Sequence, residues 1–343
     1  MKTNKYISLL FILFSCYFAG KSQDVHFTQH TLQPLQKSPA FAGDFDGNYR
    51  FAALYRNQWA TIQVPYNTLG ASFDLKVLQS QNKQHVLGSG LYLNFDQTGD
   101  GKYQTLYTQI PIAYHFSIPI QSFRLQLSPA FYIGYIRKSL DLTNLHFDSQ
   151  FTSDGFNPNA PINENFTNLN FSNLDIGTGF HLEFKNENGL KFGIGMGIHH
   201  LNTIEETLLD DSQSIQLEKR VTNSAQMLIP IKDKWEIQLD YLFQEQQQKS
   251  EHIFGTIATY YFVKNEPVQK GISLGSYYRW QDAASFIIQY KHNQITAGFS
   301  YDINTSDLKK ATNTYGATEI GIVYTIKKVE KFDEKRKLKC FVF

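Results

Sequence analysis

The chain has 343 residues, of which 15% are aromatic (28 Phe and 20 Tyr among them), with a formal charge of +1 and two cysteines. A balance this close to neutral excludes a dedicated nucleic-acid partner, and two cysteines exclude a disulfide framework. The length suits either two soluble domains or one large barrel, and the absence of a Pro/Gly/Ser-rich linker favours a single domain.

Lys2 and Lys5 precede an apolar run from Tyr6 to Ser15, and the small residues Ala19, Gly20 and Ser22 follow. That order reads as a secretory signal peptide over residues 1–22, with a run too short to span a bilayer as a helix. Lipoprotein processing at Cys16 fits less well, because Phe14 is bulky. Removing the leader takes Lys2, Lys5, Lys21 and Cys16 with it, so the mature charge becomes about −2 and Cys340 has no intrachain partner.

Residues 23–48 carry no strand pattern and are moderately apolar, which predicts a periplasmic arm or a plug entering a barrel. From residue 49 the chain alternates. Phe123, Leu125, Leu127, Phe131, Ile133 and Tyr135 share one face, while Arg124, Gln126, Ser128, Ala130, Tyr132 and Gly134 share the other. Leu174, Ile176, Phe180, Leu182 and Phe184 oppose Asp175, Gly177, Gly179, His181 and Glu183. Trp235, Ile237, Leu239, Tyr241 and Phe243 oppose Glu236, Gln238 and Asp240. Ile295, Ala297, Phe299, Tyr301 and Ile303 oppose Gln294, Thr296, Gly298, Ser300 and Asp302.

A period of two over about ten residues matches a tilted membrane strand, and a bilayer admits only helices and closed barrels. The pattern predicts an all-β outer-membrane transmembrane barrel of about 14 antiparallel strands over residues 49–327. The strands fall near 49–58, 66–75, 86–95, 103–116, 122–136, 174–184, 190–200, 220–231, 235–245, 251–262, 270–280, 284–291, 294–303 and 317–327, with poor alternation over 251–262. The long connections 137–173, 201–219 and 304–316 then lie on one side and the short ones on the other. This is the long-outside, short-periplasmic asymmetry of outer-membrane barrels, and an even strand count puts both termini in the periplasm. Residues 328–343 form a basic periplasmic tail suited to an acidic partner or to solvent.

Few residues suggest chemistry. Gly193-Ile194-Gly195-Met196-Gly197 continues through a strand with no helix after it, so the glycines read as room on the lumen face rather than as a nucleotide loop. Asp44-Phe45-Asp46-Gly47 lacks the calcium-loop Glu, because Tyr55 stands in its place. His199 and His200 are expected on opposite faces of a strand, where they cannot share a metal, and no cofactor or metal is expected. Ser89, Ser128 and His181 leave open a membrane hydrolase, but nothing in their spacing singles them out. Arg50, Arg56, Asp74, Arg124, Asp175, Glu183, Glu236, Asp240 and Arg279 are expected to line the lumen, chiefly as mutual ion pairs. Loop 137–173, with Phe147, Asp148, Phe151, Phe156 and Phe166, is either an exposed partner surface or an inward-folded constriction.

The start of the mature chain also carries a resemblance. Gln23, Asp24, His26, Phe27 and Gln29 lead into Pro39, Ala40, Phe41, Ala42 and Gly43, and Tyr55-Arg56-Asn57-Gln58-Trp59 follows. Further on come Leu145-His146-Phe147-Asp148-Ser149-Gln150-Phe151 and Gly155-Phe156-Asn157-Pro158. These blocks resemble the PorP/SprF family of type IX secretion system membrane proteins. The departures are Val25 for Pro, Thr28 for Ser, Ser38 for Asn, and an ending Cys340-Phe341-Val342-Phe343 in place of Cys-Pro-Arg-Phe. The resemblance implies a non-enzymatic outer-membrane component of secretion and gliding in Bacteroidetes-type bacteria. Its implied partners are periplasmic secretion-system components and a large adhesin-like surface protein engaged through a C-terminal sorting domain, within outer-membrane lipid. The general alternative is a porin or solute channel.

Overall fold

A computed structural model describes residues 24–61, 64–152, 155–162, 166, 169–206, 215–264, 268–307 and 309–327. The signal peptide, Gln23 and the basic tail 328–343 lie outside the described residues.

Fourteen antiparallel strands close into one barrel. They are β1 Tyr49–Gln58, β2 Tyr66–Gln79, β3 His85–Thr98, β4 Tyr103–Ile120, β5 Phe123–Ser139, β6 Asn170–Asn186 and β7 Lys191–His199. The ring continues with β8 Arg220–Ile231, β9 Trp235–Gln246, β10 Lys249–Val263, β11 Lys270–Arg279, β12 Ala283–His292, β13 Ile295–Asn304 and β14 Tyr315–Ile326. Every strand pairs with its sequence neighbours, and β14 closes on β1 in the register Tyr49↔Ile326 through Gln58↔Ala317. Closure leaves no open sheet edge, so the strand backbone is satisfied within the ring, as a hydrocarbon surround requires.

The burial pattern shows which face meets lipid. On β14, Ile320 points outward and is 62% exposed, whereas its neighbour Glu319 points inward and is 1% exposed. The same inversion runs round the ring, with Phe131, Ile133, Leu174, Phe286 and Ile322 outside and Arg56, Asp74, Asp175 and Asp302 inside. A water-soluble fold places these classes the other way round. Aromatic pairs mark both rims: Trp235 with Tyr260 (4.9 Å) at the short-turn end, Trp59 with Tyr66 (4.9 Å) and Tyr278 with Trp280 (6.0 Å) at the other. Such girdles sit at headgroup level.

The structure explains one irregularity of the sequence reading and tightens one connection. Strand β10 alternates poorly because its inner positions Ile253, Ile257 and Tyr261 are themselves apolar. Ile253 and Ile257 pack with Leu242, Tyr277 and Ile287 in a buried lumenal cluster. The β9–β10 turn is only Gln247-Gln248, both with positive φ (51° and 61°), so a tight hairpin forms there without the usual Asn or Gly. Longer connections, 140–169, 200–219 and 305–314, all emerge at one end of the barrel. Small two-stranded pieces pair Phe151–Thr152 with Gly155–Phe156 and Ile204–Glu206 with Ile215–Leu217 within two of them.

Candidate functional site

Residues 24–44 occupy the barrel lumen. Asp24 lies near the long-loop end, among Tyr107, His200, Arg220 and Gln246. The segment then descends to Gly43 and Asp44 near the short-turn end, where β1 begins and β14 stops. Pro34 and Pro39 fix two short 3-10 turns, Pro34–Gln36 and Pro39–Phe41, and the Ser38 hydroxyl accepts from Ala40 N at 3.2 Å. Such a segment has no ladder to satisfy its backbone, so the barrel wall must do so.

The wall does this residue by residue. Thr28 N and Gln29 N donate to the two carboxylate oxygens of Glu319 (2.7 and 2.9 Å). Asp24 N donates to Gln246 Oε1 and Gly43 N to Asp74 Oδ2. The carbonyls find donors as well: Arg220 for Gln36 O, Thr222 and His199 for Lys37 O, Arg50 for Phe41 O and His115 for Ala42 O.

Charge is paired along the same path. Arg56, 3% exposed, contacts Glu319 at 2.6 Å and Asp302 at 3.1 Å. The Thr28 hydroxyl sits at the centre of this group. It donates to Asp302 and accepts from Arg56 (3.0 Å) and Arg279 (3.1 Å). The change from the family's Ser to Thr therefore keeps the one group this network uses. Arg279 also contacts Glu251 and Asp282, both at 2.8 Å. His26 stands 3.1 Å from the Glu251 carboxylate that Arg279 already engages. Burial first, then the Arg279 and Arg56 charges, hold His26 well below its ordinary pKa, so it is neutral there. At Asp24 burial pushes the pKa up, but the His200 and Arg220 charges and the Tyr107 hydroxyl outweigh it and hold the carboxyl well below the usual range.

Shape follows the same logic. Phe27 is fully buried with Leu32 and Leu54. Phe41 lies 4.6 Å from the His181 ring. A Cβ at Gly179 would collide with Ser38, one at Gly195 would press on Phe41, and one at Gly197 would strike the Lys37 carbonyl. The glycine-rich strand β7 thus opens the lumen face so that the segment can approach the wall.

The structure brings seven of the candidate residues together in the lumen: Asp24, His26, Phe27, Gln29, Pro39, Phe41 and Arg56. Trp59 stands apart at the rim, edge-on to Tyr66. Phe147, Asp148, Phe151 and Phe156 form a separate group on the 140–169 connection. Phe151 (59% exposed) and Phe156 (41%) face solvent with rings 5.2 Å apart, Phe147 is half-buried against Phe166, and Asp148 is exposed.

Sequence reasoning missed several wall residues. Tyr107, His115, Glu251, Asp302 and Glu319 all meet residues 24–44 or His26's partners, across separations that no spacing encodes. One expectation is corrected. His199 and His200 do not point to opposite faces: both are buried in the lumen, with rings 6.3 Å apart, because His200 lies just past β7 with φ 57° and turns back inward. His200 bonds Asp24 and Asp175, and His199 bonds Lys37 O. Ser128 pairs with His115 rather than His181. His115 donates through Nε2 to Ala42 O, and its Nδ1 lies 2.8 Å from the Ser128 hydroxyl, which is fully buried. Among the described residues no group of His, Cys, Asp and Glu is arranged to hold a metal.

Solved barrels similar in trace include a deltaS2S3 mutant of the TodX monoaromatic hydrocarbon channel, with TM-score 0.49 and 9% identity over 84% of this chain and 92% of that one. The toluene transporter TodX of Pseudomonas putida gives 0.44 and 10%, over 89% and 94%. A FadL homologue of Pseudomonas aeruginosa gives 0.39 and 11%, over 81% and 87%. At these values the likeness adds nothing about function. No curated protein matches the chain. The family described as "Type IX secretion system membrane protein PorP/SprF" matches residues 19–324. With that match spanning nearly the whole barrel and its lumenal segment, the chain belongs to the PorP/SprF family of type IX secretion system membrane proteins.

Proposed function

We propose that this outer-membrane barrel is a non-enzymatic component of type IX secretion, supporting the export or surface attachment of a large adhesin-like protein, and that residues 23–48 act as its plug. The observation that carries this reading is that residues 24–44 run through the lumen, each end held by buried charge. A general porin needs an open aqueous path, and here the path is occupied by the chain itself. In this reading the short turns and the basic tail 328–343 face the periplasm and its secretion-system partners, and the long loops face outward. Phe151 and Phe156 then offer an exposed apolar anchor pair to a surface partner.

The test has two readouts. Purified full-length protein in planar bilayers is expected to show no sustained conductance. Cells lacking the gene are expected to lose a large surface protein that copurifies with the tagged barrel. Steady solute conductance together with unchanged secretion would favour the porin instead.

A further inference from the structure

Between the plug and the short-turn mouth the lumen is not filled. A cavity of about 1030 Å³ remains, floored by Lys37, Phe41, Gly43 and Asp44. Its volume lies at the top of the roughly 300–1,000 Å³ range of ligand pockets. Eight cationic side chains line it (Lys37, Arg50, Lys76, Lys83, Arg124, Lys185, Lys191 and Lys327) against three carboxylates. Two of those carboxylates are already engaged, Asp44 with His181 at 3.0 Å and Asp46 with Lys327 at 2.7 Å. Arg50 is committed to Asp74. Lys76, Lys83, Arg124, Lys185 and Lys191 make no ion pair with a described residue.

The arrangement of these five is informative. They sit on β2, the β2–β3 turn, β5, β6 and β7, an arc of the wall rather than one point. At roughly 4.8 Å per strand, β2 and β5 are about 14 Å apart along the ring, more than one phosphate or carboxylate bridges. The apolar lining is Pro34, Phe41, Phe45, Val86 and Leu228, with the Phe45 ring already covered by Arg50 and Lys76, so the cations outnumber it round the wall. A concave wall with such an excess of positive charge, Glu183 being the one carboxylate there without an ion pair to a described residue, focuses its field on whatever enters. Several negative charges spaced along an extended backbone would answer the arc.

We propose that this vestibule docks an acidic, extended polypeptide segment, presented from the periplasmic side by the protein being exported. The assignment rests on the secretion reading above, but its test needs only the purified barrel, so the two can fail separately. The probe is a fluorescent peptide rich in Asp and Glu, with a length-matched Asn/Gln peptide as control. The full-length barrel in detergent is expected to bind the acidic peptide, more weakly as salt rises. The combined substitutions Lys76→Gln, Lys83→Gln, Lys185→Gln and Lys191→Gln should weaken it about tenfold or more, as expected from four partly screened pairs. Should that variant not fold, Gln79→Cys in a Cys340→Ser background, carrying a dye at the cavity wall, should report the acidic peptide and not the control. Equal binding of the two peptides, or undiminished binding to the folded variant, overturns the proposal. Displacement of the peptide by equimolar inorganic phosphate would make this a small-anion site, and displacement only by phosphatidylglycerol vesicles a lipid site; either result overturns it.

Discussion

The two halves of the lumen treat charge in opposite ways. Toward the long loops, Arg56, Arg279 and Arg220 each meet a carboxylate, and the plug's own backbone completes the network through Thr28, Gln29 and Asp24. Toward the short turns, Lys76, Lys83, Arg124, Lys185 and Lys191 stand round an open volume without such partners among the described residues, although Arg50 and Lys327 beside them are paired. A buried charge is costly unless it is paired, so the paired half reads as structure built to hold the plug. The unpaired half, still open to water, can keep its cations for a ligand.

The sharpest way to break this contrast is to remove the plug. Deleting residues 24–43 should convert a closed barrel into one with sustained single-channel conductance in planar bilayers. A deletion that stays closed would mean that residues 24–44 do not seal the lumen. Next in size is Arg56→Ala, which leaves Asp302 and Glu319 buried side by side with the guanidinium between them gone. A cost of about 3–5 kcal/mol is expected, read from the temperature at which the folded band is lost in heat-modifiability gels.

Acidification tests the same half differently. His30, like His26, is held below its ordinary pKa, first by burial and then by the Lys37 charge. Released histidines protonate below about 6.5. The contribution of His26 and His30 to docking is therefore fully present above that pH and weakens as pH falls towards the lowered docked values, by about 1.4 kcal/mol per histidine per pH unit. More frequent openings at about pH 5.5 than at neutrality are expected in bilayer recordings. Gly197→Val should drive a side chain into the Lys37 carbonyl, costing about 1–3 kcal/mol and exposing the plug to added protease. The smallest effect sharpens the contrast: Lys185→Gln, in the unpaired half, should change stability by no more than about 0.5 kcal/mol.

The ring of strands was legible in the sequence because lipid on one side and a polar lumen on the other impose a period of two. That period survives even where boundaries shift, as at β3 and β6. It faltered at β10, where Ile253 and Ile257 on the inner face pack with Leu242, Tyr277 and Ile287 of neighbouring strands, a cluster that His30 meets edge-on at Tyr277 of β11 (5.0 Å). The glycines of β7 were readable as room on the lumen face, though not what fills that room. The family blocks drew attention to Asp24, Phe27, Gln29 and Arg56. Their wall partners Glu319 and Asp302 lie hundreds of residues away and carry no local signature. His200 shows the limit of strand arithmetic, since one residue of positive φ at a strand end reverses its side.

The most direct measurement places the plug itself. The Ser72 hydroxyl donates to Gln33 Oε1 at 2.6 Å, midway down the lumen. In a Cys340→Ser background, Gln33→Cys with Ser72→Cys should be joined by a short bis-maleimide in intact cells, giving a gel shift that either single variant lacks. If the double variant reacts as two independent thiols with no such shift, residues 24–44 do not occupy the lumen, and the contrast between its two halves falls with them.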